Sequence, residues 1–358
     1  MATSKLIRAL YVGLKYDYGQ PDRGFSYEYL NFFETLRQME RVEVEFFGFD
    51  EVMRKEGRTR MNAHLIETVE TRKPDICFFV LFTDEIEHRT IRFISEKSNS
   101  LTLNWFGDDH WRFRVFSRKY APYFHWVATT DSAAVEKYQG IGCRNVINTQ
   151  WGFNPHLYKR FDARQEYDVT FIGQVHSRRR QIVEQMAKAG IEVQCWGRGW
   201  APGRLSHGDM VKMYSRSKIN LNFTESSVAL GLKPLAKVFI NRRADSSISV
   251  NGLGQMWDSL SVLRTERRPQ IKGRNFEIPG SGGFLLTSNA DNLDEYFVPE
   301  KEIALFSGID DLIDKARYYL AHADEREAIR RAGYKRALCD HTYEQRFRQI
   351  FEKVGLQP

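Results

Sequence analysis

The run Ile76-Cys77-Phe78-Phe79-Val80-Leu81-Phe82 is apolar at every position. A strand with one wet face alternates between polar and apolar; a strand that is apolar throughout is covered on both faces. Short strand-length runs rich in apolar residues recur through the first part of the chain, at Leu6–Val12, Val42–Phe47, Leu101–Phe106, Trp126–Thr129 and Val146-Ile147. Between them lie segments with helical spacing: Tyr27–Met39 behind Ser26 as an N-cap, about Asn62–Thr71 ending before Pro74, then Glu85–Lys97, Arg112–Tyr120 and Ser132–Tyr138. Strand and helix in alternation predict a parallel sheet with helices on both faces.

The pattern then restarts. Gly152–Gln165 has no apolar period and holds the turn signal Asn154-Pro155. Tyr167–Ile172 is again an apolar strand ending at a glycine. It is followed by strands at Glu192–Trp196, Ile219–Phe223 and Gly283–Thr287, by helices at Arg178–Ala189, Gly208–Ser215, about Asn275–Pro279, Ile309–Ala321 and from Asp324 onward, and by a short element at Leu293–Phe297. A chain of 358 residues accommodates two such domains. The expected boundaries are 1–152 and 153–340, with 341–358 a terminal helix packing back towards the first domain. Residues from about 227 to 270 break the rhythm and read as an insertion. No sequence repeat relates the two halves.

Composition narrows the class. With 42% hydrophobic and 28% charged residues the chain is globular. No apolar run approaches the roughly 20 residues of a membrane span, and the start has no signal-peptide pattern, so a cytoplasmic location is expected. Cysteines 77, 143, 195 and 339 have neither metal-ligand spacing nor the density of a disulfide framework, and read as buried thiols. The net charge of +7 suits a phosphate-bearing ligand, a nucleic acid or peripheral contact with an anionic membrane. The cations are interleaved with acids rather than gathered into tails. Ile309, Leu312, Ile313, Ala316, Tyr319 and Leu320 form a core stripe, and the basic stretch Arg326–Arg336 reads as a solvated face. There is no phosphate-binding lysine loop, His-Glu-x-x-His pair, nucleophile elbow or dinucleotide fingerprint.

Ligands of parallel sheets sit beyond the carboxyl ends of the strands. The richest such segment is Gln270–Thr287. Lys272 and Arg274 stand at a helix start, where free N–H groups already favour an anion, and Glu277 follows one turn later. Gly282 and Gly283 then form a turn into a strand. Cations suit a diphosphate and a carboxylate suits the two hydroxyls of a ribose. A second segment joins Gly173 to Arg178, Arg179 and Arg180; at least one of these should face a ligand, because successive helical residues diverge by about 100°. A third is Trp196-Gly197-Arg198-Gly199-Trp200, where glycines permit close backbone approach and an aromatic ring can stack on a nucleobase or simply pack in a turn. In the first domain, the loop Gly13–Gly24 is a further ligand-contact candidate. Asp109 or His110, set among aromatics, can take a proton from an acceptor hydroxyl, or the acid can cap a helix.

Gln270–Thr287, Tyr318–His322 and Arg331–Tyr343 resemble the C-terminal domain of group 1 (GT4-like) glycosyltransferases, in the branch of the CgeB spore-maturation proteins. The resemblance runs from about Tyr167 to Glu352 apart from the insertion, and extends more faintly to Gly24-Phe25-Ser26-Tyr27 and Thr130-Asp131. It implies a GT-B fold, with two Rossmann-like domains facing a cleft, and a retaining hexosyl transfer from a nucleotide-diphosphate sugar, UDP ahead of GDP. In that family a Glu-x-x-x-x-Gly turn binds the donor ribose, and Glu277 matches it. An acid eight positions earlier is common there; this chain has Pro269. The resemblance assigns the diphosphate to Gly173, Arg178 or Arg180, Lys272 and Arg274, with Gly13, Trp196, Gly197, Gly282 and Gly283 lining the donor site. Lys272 and Arg274 stabilise the leaving group, and Asp109 or His110 serves the acceptor. No metal or added cofactor is expected. The acceptor class stays open among glycan, protein, small molecule and nucleic acid. Two rival readings are a nucleic-acid-binding or nucleic-acid-glycosylating protein on this fold and a non-catalytic sugar-nucleotide sensor.

Overall fold

The computed structural model describes residues 6–224, 240–242, 248–250 and 268–357. The chain divides into two compact units, one built on residues 1–150 with 343–358, the other on 151–230 with 267–342.

The first unit is a six-stranded sheet made of β1 (Ile7–Gly13), β2 (Val42–Gly48), β3 (Ile76–Phe79), β4 (Leu101–Phe106), β5 (Trp126–Thr129) and β6 (Val146–Asn148). Every pairing is parallel and the spatial order is β2-β1-β3-β4-β5-β6. All four residues of β3 are buried, as a strand sandwiched by helices requires. Ser26 caps as expected: its Oγ accepts from the Tyr29 N–H at 3.0 Å and donates to the Leu14 carbonyl at 2.7 Å. The helix behind it opens with one π-turn, Tyr29–Phe33, before the α-turn Glu34–Gln38. That extra residue directs Phe32 towards Trp105 and Tyr343, and Phe33 towards Phe46. The terminal helix Tyr343–Lys353 belongs to this unit. Its Phe347 is fully buried, 5.6 Å ring to ring from both Phe32 and Phe78, a contact worth about 3–5 kcal/mol on truncation to alanine.

The second unit repeats the architecture with β7 (Tyr167–Ile172), β8 (Val193–Trp196), β9 (Ser217–Asn222), β12 (Leu285–Ser288) and β13 (Ala304–Phe306), all parallel in the order β13-β12-β9-β7-β8. In both sheets, then, the first strand in sequence lies between the second and the third. A short antiparallel pair, β10 (Ile240–Arg242) with β11 (Ile248–Val250), falls in the stretch read as an insertion; the remainder of 227–267 lies outside the described residues.

Three expectations change. The helix placed at Asn62–Thr71 runs from Phe49 to Arg72, bent at Gly57 with φ 80°; its polar first half hides the period. Cys77 and Cys195 are buried, but Cys143 is half-buried and Cys339 exposed. The basic stretch Arg326–Arg336 is not wholly solvated: Arg326 and Arg330 are only 4% and 9% exposed. Arg326 Nη1 donates to the carbonyls of Tyr319 and Leu320, so a buried guanidinium holds the turn between two helices, and Arg330 pairs with Glu327 within the second of them. Among the described residues no helix is long and apolar enough to cross a membrane.

Candidate functional site

In a 2-1-3 strand order the chain leaves β7 to one side and β9 to the other, which opens a crevice at their carboxyl ends. β7 ends in the loop Gly173–His176, and the twelve-residue helix Ser177–Lys188 starts there. A short buried network brings Lys272 to the same end. Asn275, fully buried, accepts from the Lys272 backbone N–H at 3.0 Å and from the Asn222 side-chain amide at 3.3 Å, and the same amide of Asn222 donates to Thr287 at 3.1 Å. The turn carrying Lys272 is thereby tied to β9 and β12.

His176 reports how much positive charge gathers there. Its pKa is lowered to about 4, first by burial and then by Arg179, Lys272 and Arg178. Three cations and a helix N-terminus therefore share one small volume. Arg179 donates to the Gln174 carbonyl at 2.8 Å and lies over the Phe171 ring; Arg180 lies over Trp200. Sequence reasoning missed His176, because a lone histidine at a cap position carries no motif.

Glu277 and Arg274 pair with each other, a contact that the sequence expectation does not include. Both lie in the seven-residue helix Arg274–Gly280, and Arg274 turns back one turn to pair with the Glu277 carboxylate. Glu277 is fully buried while the Arg274 side chain keeps 30% exposure. Burial works against the arginine charge, but Glu277 outweighs it and holds the pKa above the ordinary value. Around this pair the Glu277 Oε1, Tyr214 hydroxyl, Ser281 hydroxyl and His207 Nε2 are buried without hydrogen-bond partners among the described residues. Burial lowers the His207 pKa, which Glu277 partly restores. Neither His207 nor Tyr214 stands out in the sequence. Unsatisfied buried polar atoms in such number mark a place for water or a polar ligand.

Most of the glycines have packing reasons. A Cβ on Gly173 would stand 2.7 Å from the Phe171 ring, and one on Gly197 2.2 Å from the Gly173 carbonyl oxygen. Gly197 has φ 133° and donates to the Gly203 carbonyl at 2.7 Å. The Trp200 indole donates to the Gly173 carbonyl at 3.0 Å, and Trp196 packs edge-on to Tyr167. Gly282, at φ 69°, leaves room for the Arg160 side chain, and Gly283 for the Asn220 amide. In the first unit, Gly13 gives way to the ring of Tyr11.

Asp109 is 1% exposed. Its Oδ2 accepts from Thr129 and Tyr138, each at 2.7 Å. Burial raises its pKa to about 6, with the hydroxyls of Ser117, Thr129 and Tyr138 pulling the other way. It is an internal acceptor that joins β5 to the helix Ala134–Gln139. His110, 8% exposed, adjoins Trp111. Among the described residues no group of three His, Cys, Asp or Glu side chains is placed to hold a metal ion.

Comparison with known proteins adds a resemblance over the second part of the chain. Residues 178–243 and 252–352 match the glycosyl transferase-like family. The spore protein CgeB of Bacillus subtilis is 20% identical over 285 residues, 79% of this chain and 84% of that protein. The crystal structure of Anabaena Alr3699/HepE in complex with UDP superposes with a TM-score of 0.62 at 11% identity, covering 98% of this chain and 100% of that one. Sucrose-phosphate synthase from Thermosynechococcus elongatus gives 0.60 at 10% identity, with 98% and 99% covered, and a glycosyltransferase from Rickettsia africae gives 0.59 at 10%, with 97% of each covered. The fold is that of the GT-B enzymes, and the part of the chain that is similar to the glycosyl transferase-like family is the part that carries the cation-bearing helix, Lys272, Arg274 and Glu277.

Proposed function

We propose that the protein transfers a sugar from a UDP-sugar to an acceptor hydroxyl, with retention at the anomeric carbon. The observation that carries this reading is the meeting of Arg178, Arg179 and Lys272 around His176 at the start of the helix Ser177–Lys188. Fixed cations and oriented N–H groups bind a diphosphate and stabilise the charge that grows on it as the glycosidic bond to phosphate breaks. Glu277, with its Oε1 unsatisfied, accepts from the ribose hydroxyls. Structures of Anabaena Alr3699/HepE with UDP and with UDP-glucose support a UDP-sugar as the donor. Retention follows the family resemblance.

Calorimetric titration of UDP and GDP into wild type, Lys272→Ala and Glu277→Ala tests the assignment. Micromolar UDP binding that weakens at least tenfold in both variants, with both still folded by circular dichroism, is expected. Failure of folded wild type to bind either nucleotide removes the donor site.

A further inference from the structure

The cations around His176 lie at the carboxyl end of β7. A second group of cations gathers at the amino end of the same sheet. β7 is six residues long, so its two ends are about 20 Å apart. Gln165, two residues before β7, donates to Glu327 Oε1 at 3.1 Å, which ties the helix Ala323–Asp340 to that end. Arg330 Nη1 donates to the same oxygen at 2.9 Å, and Arg331 Nε donates to the Glu327 carbonyl at 3.3 Å. Tyr334 follows one turn on, and the Arg160 guanidinium lies 6.0 Å from the centre of its ring. Arg160 runs along Gly282, three residues before β12 and so at the same end of the sheet: a Cβ on Gly282 would meet the Arg160 side chain at 2.7 Å.

These guanidinium groups are poorly matched by acid. Arg330 is only 9% exposed. Burying a guanidinium is costly unless its charge is paired and its N–H groups are bonded. Among the described residues Arg330 bonds to Glu327 alone, through one nitrogen of a group with five N–H donors. Arg331 is exposed and its bond is to a neutral carbonyl. Arg160 is exposed and meets only the Tyr334 ring among the described residues. Burial lowers the Arg330 pKa, Glu327 opposes the fall, and Arg160 and Arg331 add to it. One turn earlier, Arg326 is 4% exposed, and its Nε is buried without a hydrogen-bond partner among the described residues. Holding the turn between the two helices uses Arg326 Nη1; it gives no reason to crowd further cations around a buried arginine. Like charges collected at such a place are a feature of sites that hold a counter-ion.

We infer that Arg330, Arg331 and Arg160 form a binding site for a phosphate group, separate from the donor crevice. A guanidinium presents its N–H groups as a planar fork that meets phosphate oxygens two at a time. Three guanidinium groups against the one carboxylate of Glu327 leave two positive charges in excess. A phosphate dianion balances them, whereas a carboxylate meets half. Glu327 holds Arg330 in place, and the exposed Arg160 and Arg331 reach the ligand from the solvent side. The phosphate belongs to a free phosphorylated solute or to a lipid headgroup, and the chemistry at the three arginines is the same for both. The site does not depend on which sugar nucleotide the donor crevice takes, or on whether it takes one.

The test uses the full chain. Inorganic phosphate, with acetate as the monoanionic counterpart, is titrated calorimetrically above neutral pH at constant ionic strength, with and without UDP. Sedimentation with phosphatidylcholine vesicles, with and without phosphatidic acid, is run beside it. The expected result is phosphate binding that persists in the presence of UDP, is tighter than acetate binding, and weakens about tenfold or more in Arg160→Ala and in Arg331→Ala. Both side chains are exposed, so both variants should fold, and their UDP affinity should stay within twofold of wild type. Capture by the phosphatidic acid vesicles that inorganic phosphate reverses identifies a headgroup as the source; phosphate binding without capture identifies a free solute. Either supports the site. Absence of phosphate binding by folded wild type, phosphate binding that both variants retain, or acetate binding as tight as phosphate overturns it.

Discussion

The ring of Tyr11 occupies the space that a Cβ on Gly13 would need: the methyl carbon of an alanine there would stand 2.7 Å from the ring carbon Cε1. The same relationship joins Phe46 to Gly48 and Phe171 to Gly173, each at 2.7 Å. Three strands thus end in aromatic-x-Gly, with the ring folded over the glycine two residues on, as side chains on one face of a strand permit. Glycine at these strand ends makes room for the protein's own ring. Gly13→Ala and Gly173→Ala should each destabilise by roughly 1–3 kcal/mol through overpacking, read by urea unfolding. Replacing the ring in the same molecule, as in Gly13→Ala with Tyr11→Leu, should recover part of the loss. A stable Gly13→Ala that binds UDP less well would mean the glycine serves a ligand after all.

Much of the fold is open to a reader of the sequence, because a continuously apolar strand such as Ile76–Phe79 announces a covered parallel sheet and few other elements imitate it. β13 is not, since three residues, Ala304–Phe306, carry no period. The π-turn at Tyr29–Phe33 is hidden because one extra residue barely disturbs a helical stripe. At the site, Lys272 and Glu277 stand out as a charged pair beside a glycine turn, whereas His176 and His207 matter through neighbours more than sixty residues away or through burial, and neither leaves a local pattern.

The Arg274–Glu277 pair sets up a second prediction. Removing the arginine leaves a fully buried carboxylate uncompensated, a loss of about 3–5 kcal/mol for an enclosed pair. The 30% exposure of Arg274 lets water take over part of its role, so roughly 2–3 kcal/mol is expected for Arg274→Ala. The double variant Arg274→Ala with Glu277→Gln should be the more stable of the two, because no charge is stranded. Equal stability of the single and double variants by chemical denaturation would show that the pair is not coupled.

Asp109 makes stability depend on pH with a definite sign. Its folded pKa is about 6 against an ordinary value of 3.8, with burial the first cause. The folded state therefore holds the proton more tightly than the unfolded state between those values. The stabilising contribution is complete below pH 3.8 and is lost as pH rises to 6, at a cost of roughly 3 kcal/mol at neutral pH from 1.36 kcal/mol per unit. Glu28 slopes in the same direction, so the informative quantity is wild type minus Asp109→Asn. That difference should favour wild type least at pH 7 and should flatten above pH 6. A difference independent of pH would show Asp109 to be ionised throughout the range.

His176 offers a direct view of the cationic crevice from within. Burial and its three cationic neighbours push its pKa down to about 4, so it is neutral at pH 7. Burial is insensitive to what binds in front of the ring, but the repulsion from Arg178, Arg179 and Lys272 is cancelled by an anion placed among them. Saturating UDP should therefore raise the midpoint of the His176 ring signals in an NMR titration, and Lys272→Ala should raise it without ligand. The two effects should not add fully, since a diphosphate has less charge to meet once the lysine is gone. UDP binding that heats the calorimeter while the His176 midpoint stays near 4 would place the nucleotide elsewhere on the protein.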